Sequence, residues 1–436
     1  MDTNIAFSFI VSGLVVLFYF VLNKRAKSSK VVNLPPGPPK LPIIGNIHQL
    51  AGLLPHRAFR DMSRKHGPIM HIQLGQVSTV VISSPRLAKE VLKTHDIALA
   101  DRPKTFGSEL VLYGNTDIAL ASYSEYWRQL KKISSLELLS AKKVRSFGPI
   151  REQELKRFIE FLHLSSGKPV NLHQAITEAI NNVVCIASFG KNCTHRHSLA
   201  EDDLLDVLLK LKKEGGLEFP ITNNNIKAIF VDIFAGGTDT STVTIGWAMT
   251  EMIRHPSVME KAQAEVRQYF KGKRKIMETD IQGLSYLKSV IKETLRLHPP
   301  IPLLLPHVCR EQCKVGGYDI PVKMKVIVNG WACSTDPEYW EDADTFKPER
   351  FENTPIDFMG TNYHFIPFGS GRRMCPGINF GMVSVELFLA QMLYNFNWKL
   401  PVGLSPADID MTESEGLLTA KKVHLYLIPT PYAPDN

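Results

Sequence analysis

Cysteine is scarce in this chain of 436 residues, with six in all. Cys185, Cys193, Cys309, Cys313, Cys333 and Cys375 form no C-x-x-C pair, and His195 and His197 near Cys193 fit no standard zinc spacing. A disulfide-stapled framework and a zinc module are thereby excluded. Internal repeats and low-complexity tracts are also missing, which argues against a solenoid or a disordered chain. No basic block interleaved with aromatics accompanies the net charge of +8, so no nucleic-acid partner is expected. That modest excess suits an anionic membrane surface or an acidic protein instead.

What is present is ample apolar material, 44% of residues against 22% charged, enough for one large domain. Residues 5–22, IAFSFIVSGLVVLFYFVL, carry no charge and at about 1.5 Å per residue cover most of a roughly 30 Å hydrocarbon layer. Asp2 precedes the run, and Lys24, Arg25, Lys27 and Lys30 follow it, the reverse of the charge order in a cleaved signal peptide. Residues 1–30 are therefore expected to be a single-pass anchor with its basic flank in the cytosol. The cytosol is reducing, so Cys375 is expected as a free thiol or a ligand. Residues 31–46 contain LPPGPPKLPIIGN, whose prolines fix φ and withhold donors, and are expected as a stiff hinge before one domain spanning 47–436.

That domain is expected to be mainly α with a small β region. Helical spacing runs through 124–140, 260–270 and 285–300, and strand patterns occur at 70–83, 325–331 and 423–428. The longest helix is expected from the capping residues Thr222 or Asn223 to the stop at Pro256, about 45 Å for about 30 residues. Inside it stands GGTDTS (236–241), a glycine pair that weakens a helix by about 2 kcal/mol relative to alanine. Gly236 and Gly237 would leave a groove in the helix face, with Asp239 and Thr240 beside it. Thr240 could equally bond back to the preceding turn.

The stretch IPFGSGRRMCPG (366–377) places Cys375 before Pro376, a residue favoured at the first helical position, and the apolar pattern GINFGMVSVELFLAQMLYNF. At a helix N-terminus the free N–H groups and the dipole favour a thiolate, the form that ligates iron. Taken alone, a buried structural cysteine at a loop–helix junction fits as well.

The company of Cys375 separates these readings. FGSGRRMCPG resembles the haem-binding loop of the cytochrome P-450 superfamily, with Phe368, Gly371, Arg373, Cys375 and Gly377 at the positions that loop requires. GGTDTS, the E-T-L-R of 293–296 and FKPERF (346–351) match independently. With the anchor and hinge, the resemblance covers nearly the whole chain and is nearest to plant microsomal members acting on terpenoids and other specialised metabolites. It implies the cytochrome P-450 fold with an N-terminal transmembrane anchor helix and haem b (iron protoporphyrin IX) ligated by Cys375. Asp239 and Thr240 are implied in proton delivery. Glu293 and Arg296, an ordinary surface pair by their spacing alone, are implied to join Arg350 in a buried structural network.

The resemblance also implies propionate contacts from Trp127, Lys131, His307 and Arg373; on its own residues His307 could as well be a loop histidine bonded to backbone. Substrate contacts are expected from Phe106, Val111 and Ile118, from Ile229, Ile233 and Gly236, from Leu303 and Leu304, and from Leu418, all of which could equally be core. Electrons would come from NADPH through NADPH-cytochrome P-450 reductase, with cytochrome b5 as a second donor, and Arg128, Lys131 and Lys132 could form a basic docking face. A lipophilic small molecule and membrane lipid complete the expected partners, and the location implied is the endoplasmic reticulum membrane with the catalytic domain in the cytosol. The chain departs from the family pattern after Gly190. Two helices that roof the pocket are expected there, but only KNCTHRHSLAE precedes the next helical pattern at 202–214, and eleven residues cannot hold two helices of about 11 residues each. A monooxygenase is expected; an impaired form that binds haem without productive turnover is the alternative.

Overall fold

A computed structural model describes Gly13 and residues 32–190, 203–273 and 276–433. The expected anchor, 5–22, lies outside the described residues apart from Gly13, and among the described residues no helix is long and apolar enough to cross a membrane. The principal helices are α1 (Glu125–Ile133), α2 (Gly148–Leu164), α3 (Leu172–Phe189), α4 (Leu204–Glu214), α5 (Asn223–Phe234), α6 (Thr240–Arg254), α7 (Pro256–Tyr269), α8 (Ser285–Leu297) and α9 (Ile378–Asn395). Four strands, β1 (Ile69–Leu74), β2 (Val77–Ile82), β3 (His307–Val308) and β4 (Lys325–Val328), form a sheet of order β1-β2-β4-β3. β2 and β4 run parallel with Thr79 opposite Lys325, and the other pairs are antiparallel. A second sheet joins Val170–Asn171, Tyr426–Pro431 and Phe396–Lys399.

Local chemistry sets most boundaries. The α5 start is a reciprocal cap: the Thr222 hydroxyl accepts from the Asn225 amide at 3.2 Å, and Asn225 Oδ1 accepts from the Thr222 amide at 2.8 Å. Pro256 ends one helix and opens α7. α3 buries Leu172, Ile176, Ile180, Val183 and Val184, a helical stripe facing the central helices and α2, whereas α6 is buried almost all round. Residues 223–254 are continuous as expected, except that Ala235–Asp239 form a π-helical turn between α5 and α6.

Several expectations shift in detail. α9 begins at Ile378 with Gly377 as its cap, so Pro376 precedes the helix instead of opening it. The strand expected over 423–428 occupies Tyr426–Pro431, and β4 stops at Val328 because Asn329 caps a short helix, Gly330–Ser334, through the Ala332 amide. The proline-rich segment is docked along β1: His71 N–H donates to the Pro36 carbonyl at 2.8 Å, and Asn46 bridges the Pro38 and Pro39 carbonyls to the Gln73 amide. Between α3, closed by Gly190 in the left-handed region, and Asp203, which caps α4, lie only residues 191–202, outside the described residues.

Candidate active site

The helices enclose a cavity of about 880 Å³, floored by 367–377 and the start of α9 and walled by α1, α3, the π turn with α6, residues 300–307 and the loop 414–420. The floor turns on Gly371. At φ +69 it adopts a conformation that L side chains rarely take, and a Cβ there would lie 2.2 Å from the Leu92 carbonyl oxygen. The turn lets the Cys375 amide donate to the Phe368 carbonyl at 3.0 Å and leaves the thiol open to the cavity. Burial pushes that thiol up, while the Gly377 amide and the Lys131 ammonium pull it back toward the thiolate. Gly371 shapes this loop without lining the cavity; Phe368, Arg373 and Gly377 line it.

The π turn brings Gly236, Gly237, Asp239 and Thr240 to the wall of the same cavity. A Cβ at 236 would meet nothing, whereas one at 237 would press on Val184 at 3.2 Å, so the second glycine also lets α3 approach. The Thr240 hydroxyl donates to the Gly236 carbonyl at 2.6 Å, the back-bond that its position allows. That bond uses its proton and leaves oxygen lone pairs free to accept.

The cations differ from expectation. Lys131 turns inward, donating to the Met374 carbonyl at 2.6 Å, and burial lowers it to about 8 against the pull of Cys375. It therefore does not join Arg128 and Lys132, which are exposed, in an outward docking face. His307 lines the cavity but is buried, and its Nδ1 contacts the Leu99 carbonyl at 2.8 Å. Burial, with Arg102 nearby, holds it well below the usual histidine range, so it is neutral and offers no charge. The Trp127 indole N–H is committed to the Ile118 carbonyl at 2.9 Å, and the Arg373 guanidinium stacks over the indole at 4.1 Å while donating to Ala100 and Ala121. A further buried cation is Arg102, which sequence reasoning missed. It donates to the carbonyls of Ala119, Leu305 and Pro306 and lines the cavity, lowered to about 9 by burial and by Arg373. Its signal was a lone arginine beside Asp101 after an apolar run.

Ile118, Ile233, Gly236, Leu304 and Leu418 line the cavity. Leu304 reaches it from φ +51, a strained turn between Pro302 and Pro306. Four expected contacts do not. Phe106 and Val111 stand on a short exposed helix, 84% and 55% accessible, because nothing among the described residues covers it. Ile229 is fully buried on the core side of α5, and Leu303 packs with Phe59 and Met70 beneath the sheet.

Below the floor, Glu293 and Arg296 are fully buried. Arg296 Nε and a terminal nitrogen reach the two Glu293 oxygens at 2.7 and 2.8 Å, and Arg350 Nε and the Lys347 amide both donate to Glu293 Oε1. Arg296 also donates to the carbonyls of Ser334, Ala343 and Thr345, tying α8 to the 334–350 segment.

A single thiol on the floor, glycines that admit a flat ligand and the buried cations Arg102, Lys131 and Arg373 fit a thiolate-ligated macrocycle carrying two carboxylates. The comparisons agree. The sequence profile of the family "Cytochrome P450" matches residues 35–202 and again 194–427. Cytochrome P450 Tp9025 of Tanacetum parthenium is 50% identical, with 99% of both chains covered, in an alignment of 493 positions, more than this chain has residues. Costunolide synthase of Cichorium intybus is 48% identical over 97% of each chain, and premnaspirodiene oxygenase of Hyoscyamus muticus 46% identical over 99% of each. Among solved structures, a zebrafish cytochrome P450 with progesterone superposes with a TM-score of 0.78 at 25% identity, covering 87% of this chain and all of that one. Floor, wall and ancestry converge: the chain belongs to the cytochrome P450 family, a haem-thiolate monooxygenase that takes a lipophilic substrate and electrons from a redox partner.

Proposed function

We propose that this chain oxygenates a terpenoid, with Cys375 as the iron's thiolate ligand and the π turn as the proton-handling wall. The observation that supports this most is that Cys375, Asp239 and Thr240 line one cavity whose remaining wall is mostly apolar. When bound, the haem supplies activation of dioxygen at its iron. Arg102, Arg373 and Lys131 would hold its propionates. Thr240, its proton committed to Gly236, would accept a hydrogen bond from a donor in the cavity, and Asp239 next to it would supply a proton to that wall. Ile118, Ile233, Leu304 and Leu418 bury the substrate at about 25 cal/mol per Å² of apolar area. The relatives named for costunolide synthesis, premnaspirodiene oxygenation and germacrene A acid 8β-hydroxylation make a terpenoid the substrate class.

The electrons come from NADPH through NADPH-cytochrome P450 reductase, with cytochrome b5 as a further donor, at the endoplasmic reticulum membrane to which residues 5–22 anchor the chain in a single pass. In membranes with that reductase, the native chain is expected to show the far-red Soret band of a thiolate–carbon monoxide complex and to convert premnaspirodiene. Cys375→Ser should abolish the band, whereas Cys185→Ser and Cys333→Ser leave its shape intact. A normal band in the Cys375 variant defeats the assignment.

A second reading, a form that binds haem without productive turnover, draws support from the exposed Phe106–Val111 helix, from the short 191–202 join and from a family match that breaks at 194–202. Inserting the additional segment of the Tanacetum relative between Asn192 and Asp202 separates the two. A rise in turnover and affinity favours the impaired form; equal performance of the native chain dismisses it.

A further inference from the structure

The loop 117–121 is the common support of the cavity's two halves. Its Ile118 side chain lines the cavity, its Ile118 carbonyl accepts from Trp127 Nε1, its Ala119 carbonyl accepts from Arg102 and its Ala121 carbonyl accepts from Arg373. What holds the loop against the helices is a carboxyl group on α5. Asp232, the lone acid in the apolar run AIFVDIFAGG, lines the cavity, and its Oδ2 accepts from the Ile118 amide at 2.7 Å and the Ala119 amide at 3.0 Å. Facing it is Asp117, fully buried, whose Oδ2 accepts from the Leu120 amide at 2.6 Å. The other Asp117 oxygen is buried with no donor. The two carboxyl side chains interact directly, yet two carboxylates in contact repel.

We propose that Asp117 and Asp232 share one proton and act as positioning residues, an acid–carboxylate clasp that seats loop 117–121 between the substrate wall and the cations of the haem cradle. The shared proton supplies the donor that the free Asp117 oxygen lacks, and the loop amides of Ile118, Ala119 and Leu120 satisfy Asp232 Oδ2 and Asp117 Oδ2. No residue on α5 or elsewhere in the cavity forms an ion pair with Asp232 among the described residues. The charges around the clasp are Asp117 itself and, near Asp117, the guanidinium groups of Arg102 and Arg373 and the neutral phenol of Tyr126. Burial, reinforced by the Asp117 charge, pushes Asp232 up to about 8 against the pull of the two amides, and burial raises Asp117 as well. The clasp is therefore singly protonated at neutral pH and loses its proton as the pH rises past about 8, leaving two repelling carboxylates.

The proposal rests on this cavity being the haem and substrate site, but its test does not depend on which substrate is native. The probe is 1-phenylimidazole, which ligates the haem iron of the full-length holoenzyme and lays its ring in the cavity; its binding is read from the Soret shift across about pH 6.5 to 9. In the native chain affinity should fall about fivefold or more over that range, the worth of roughly one net hydrogen bond. Asp232→Asn keeps an acceptor for the amides and a permanent donor for Asp117, so it should bind as tightly as the native chain at neutral pH and lose clearly less affinity as the pH rises, the remaining fall coming from Lys131, which titrates at about 8 in both. Asp232→Val should bind weakly at every pH and lose haem faster to apomyoglobin. A flat native profile, an Asn variant whose affinity falls with pH as steeply as the native chain's, or an Asn variant as weak as Val or devoid of the thiolate–carbon monoxide band would each overturn the clasp. If Val yields no holoenzyme, the native and Asn profiles decide alone.

Discussion

Replacing Glu293 by glutamine is the sharpest probe of the buried network, because its carboxylate accepts four hydrogen bonds, three at Oε1 and one at Oε2. Two bonds come from Arg296, one from Arg350 and one from the Lys347 amide, with Glu293 and Arg296 fully buried. Glutamine preserves the shape but withdraws the charge, and its amide turns donors toward two guanidinium groups. Breaking a buried ion pair by removing one partner typically costs about 3–5 kcal/mol, since the remaining charge is left without compensation. Arg296 still has three carbonyls, which places the expected loss at the lower end. With an unfolding entropy of about 2.1 cal/mol/K per residue, about 3 kcal/mol lowers the melting midpoint of a chain this size by about 3 °C. The assay is a thermal scan of the holoenzyme read at the Soret band. Glu349→Gln is the control, an acid 40% exposed at its side chain and paired with Lys261 on the surface, where about 1 kcal/mol or less is expected. If the two variants melt together, the Glu293 network carries no special weight and the reasoning fails.

Thr240→Ala should retain the thiolate–carbon monoxide band and NADPH consumption while diverting oxygen to peroxide, since the hydroxyl fixed by Gly236 is lost; unchanged coupling of NADPH to product would make Thr240 a packing residue. Acid should find a separate weakness. Burial would raise Glu251 and Glu413, but His255 and His298 hold the former at about 2, and His56 and Arg57 the latter at about 2. A folded pKa below the unfolded value stabilises above about pH 4.5 and is lost as the pH falls toward 2, for about 3 kcal/mol per group at neutral pH. Glu251→Gln should therefore be less stable than the native chain at pH 7, with the gap closing as the pH drops from about 5 to 3; a constant gap in urea titrations refutes the assignment.

Local signals carried much of this structure in the sequence, and tertiary choices decided the remainder. Thr222, Pro256 and Asp203 act through caps and stops that need no distant partner, so the helix boundaries they mark are legible in sequence. Cys375 is legible for the same reason: the glycines and proline around it constrain the backbone locally. The failures concern direction. Ile229 and Ile233 stand one helical turn apart on α5, yet only Ile233 faces the cavity. Phe106 and Val111 read as apolar wall, but whether a helix of six residues is covered depends on chain far away in sequence. Arg102 and Asp232 were passed over because a lone charge in an apolar run gains its meaning only from carbonyls and amides that the fold brings to it. The π turn at Ala235–Asp239 was likewise invisible to a 3.6-residue period, although the glycine pair marked the place.

The distribution of the functional groups along the chain has a consequence for the short join after Gly190. Cys375, the π turn, Arg102, Arg373 and the Glu293 network all sit on elements outside residues 191–202, and each is held by bonds among those elements. Haem retention therefore depends on parts that are complete. Substrate retention depends on cover, and Phe106, Leu110 and Val111 show apolar area left to solvent on the short helix that precedes loop 117–121 in the chain. Because that loop also carries the carbonyls that seat Trp127, Arg102 and Arg373, any looseness on the substrate side is transmitted to the cradle. The Asp117 and Asp232 clasp is the point at which the two sides are fastened, so its strength sets how far a disturbance on the substrate side reaches the iron site.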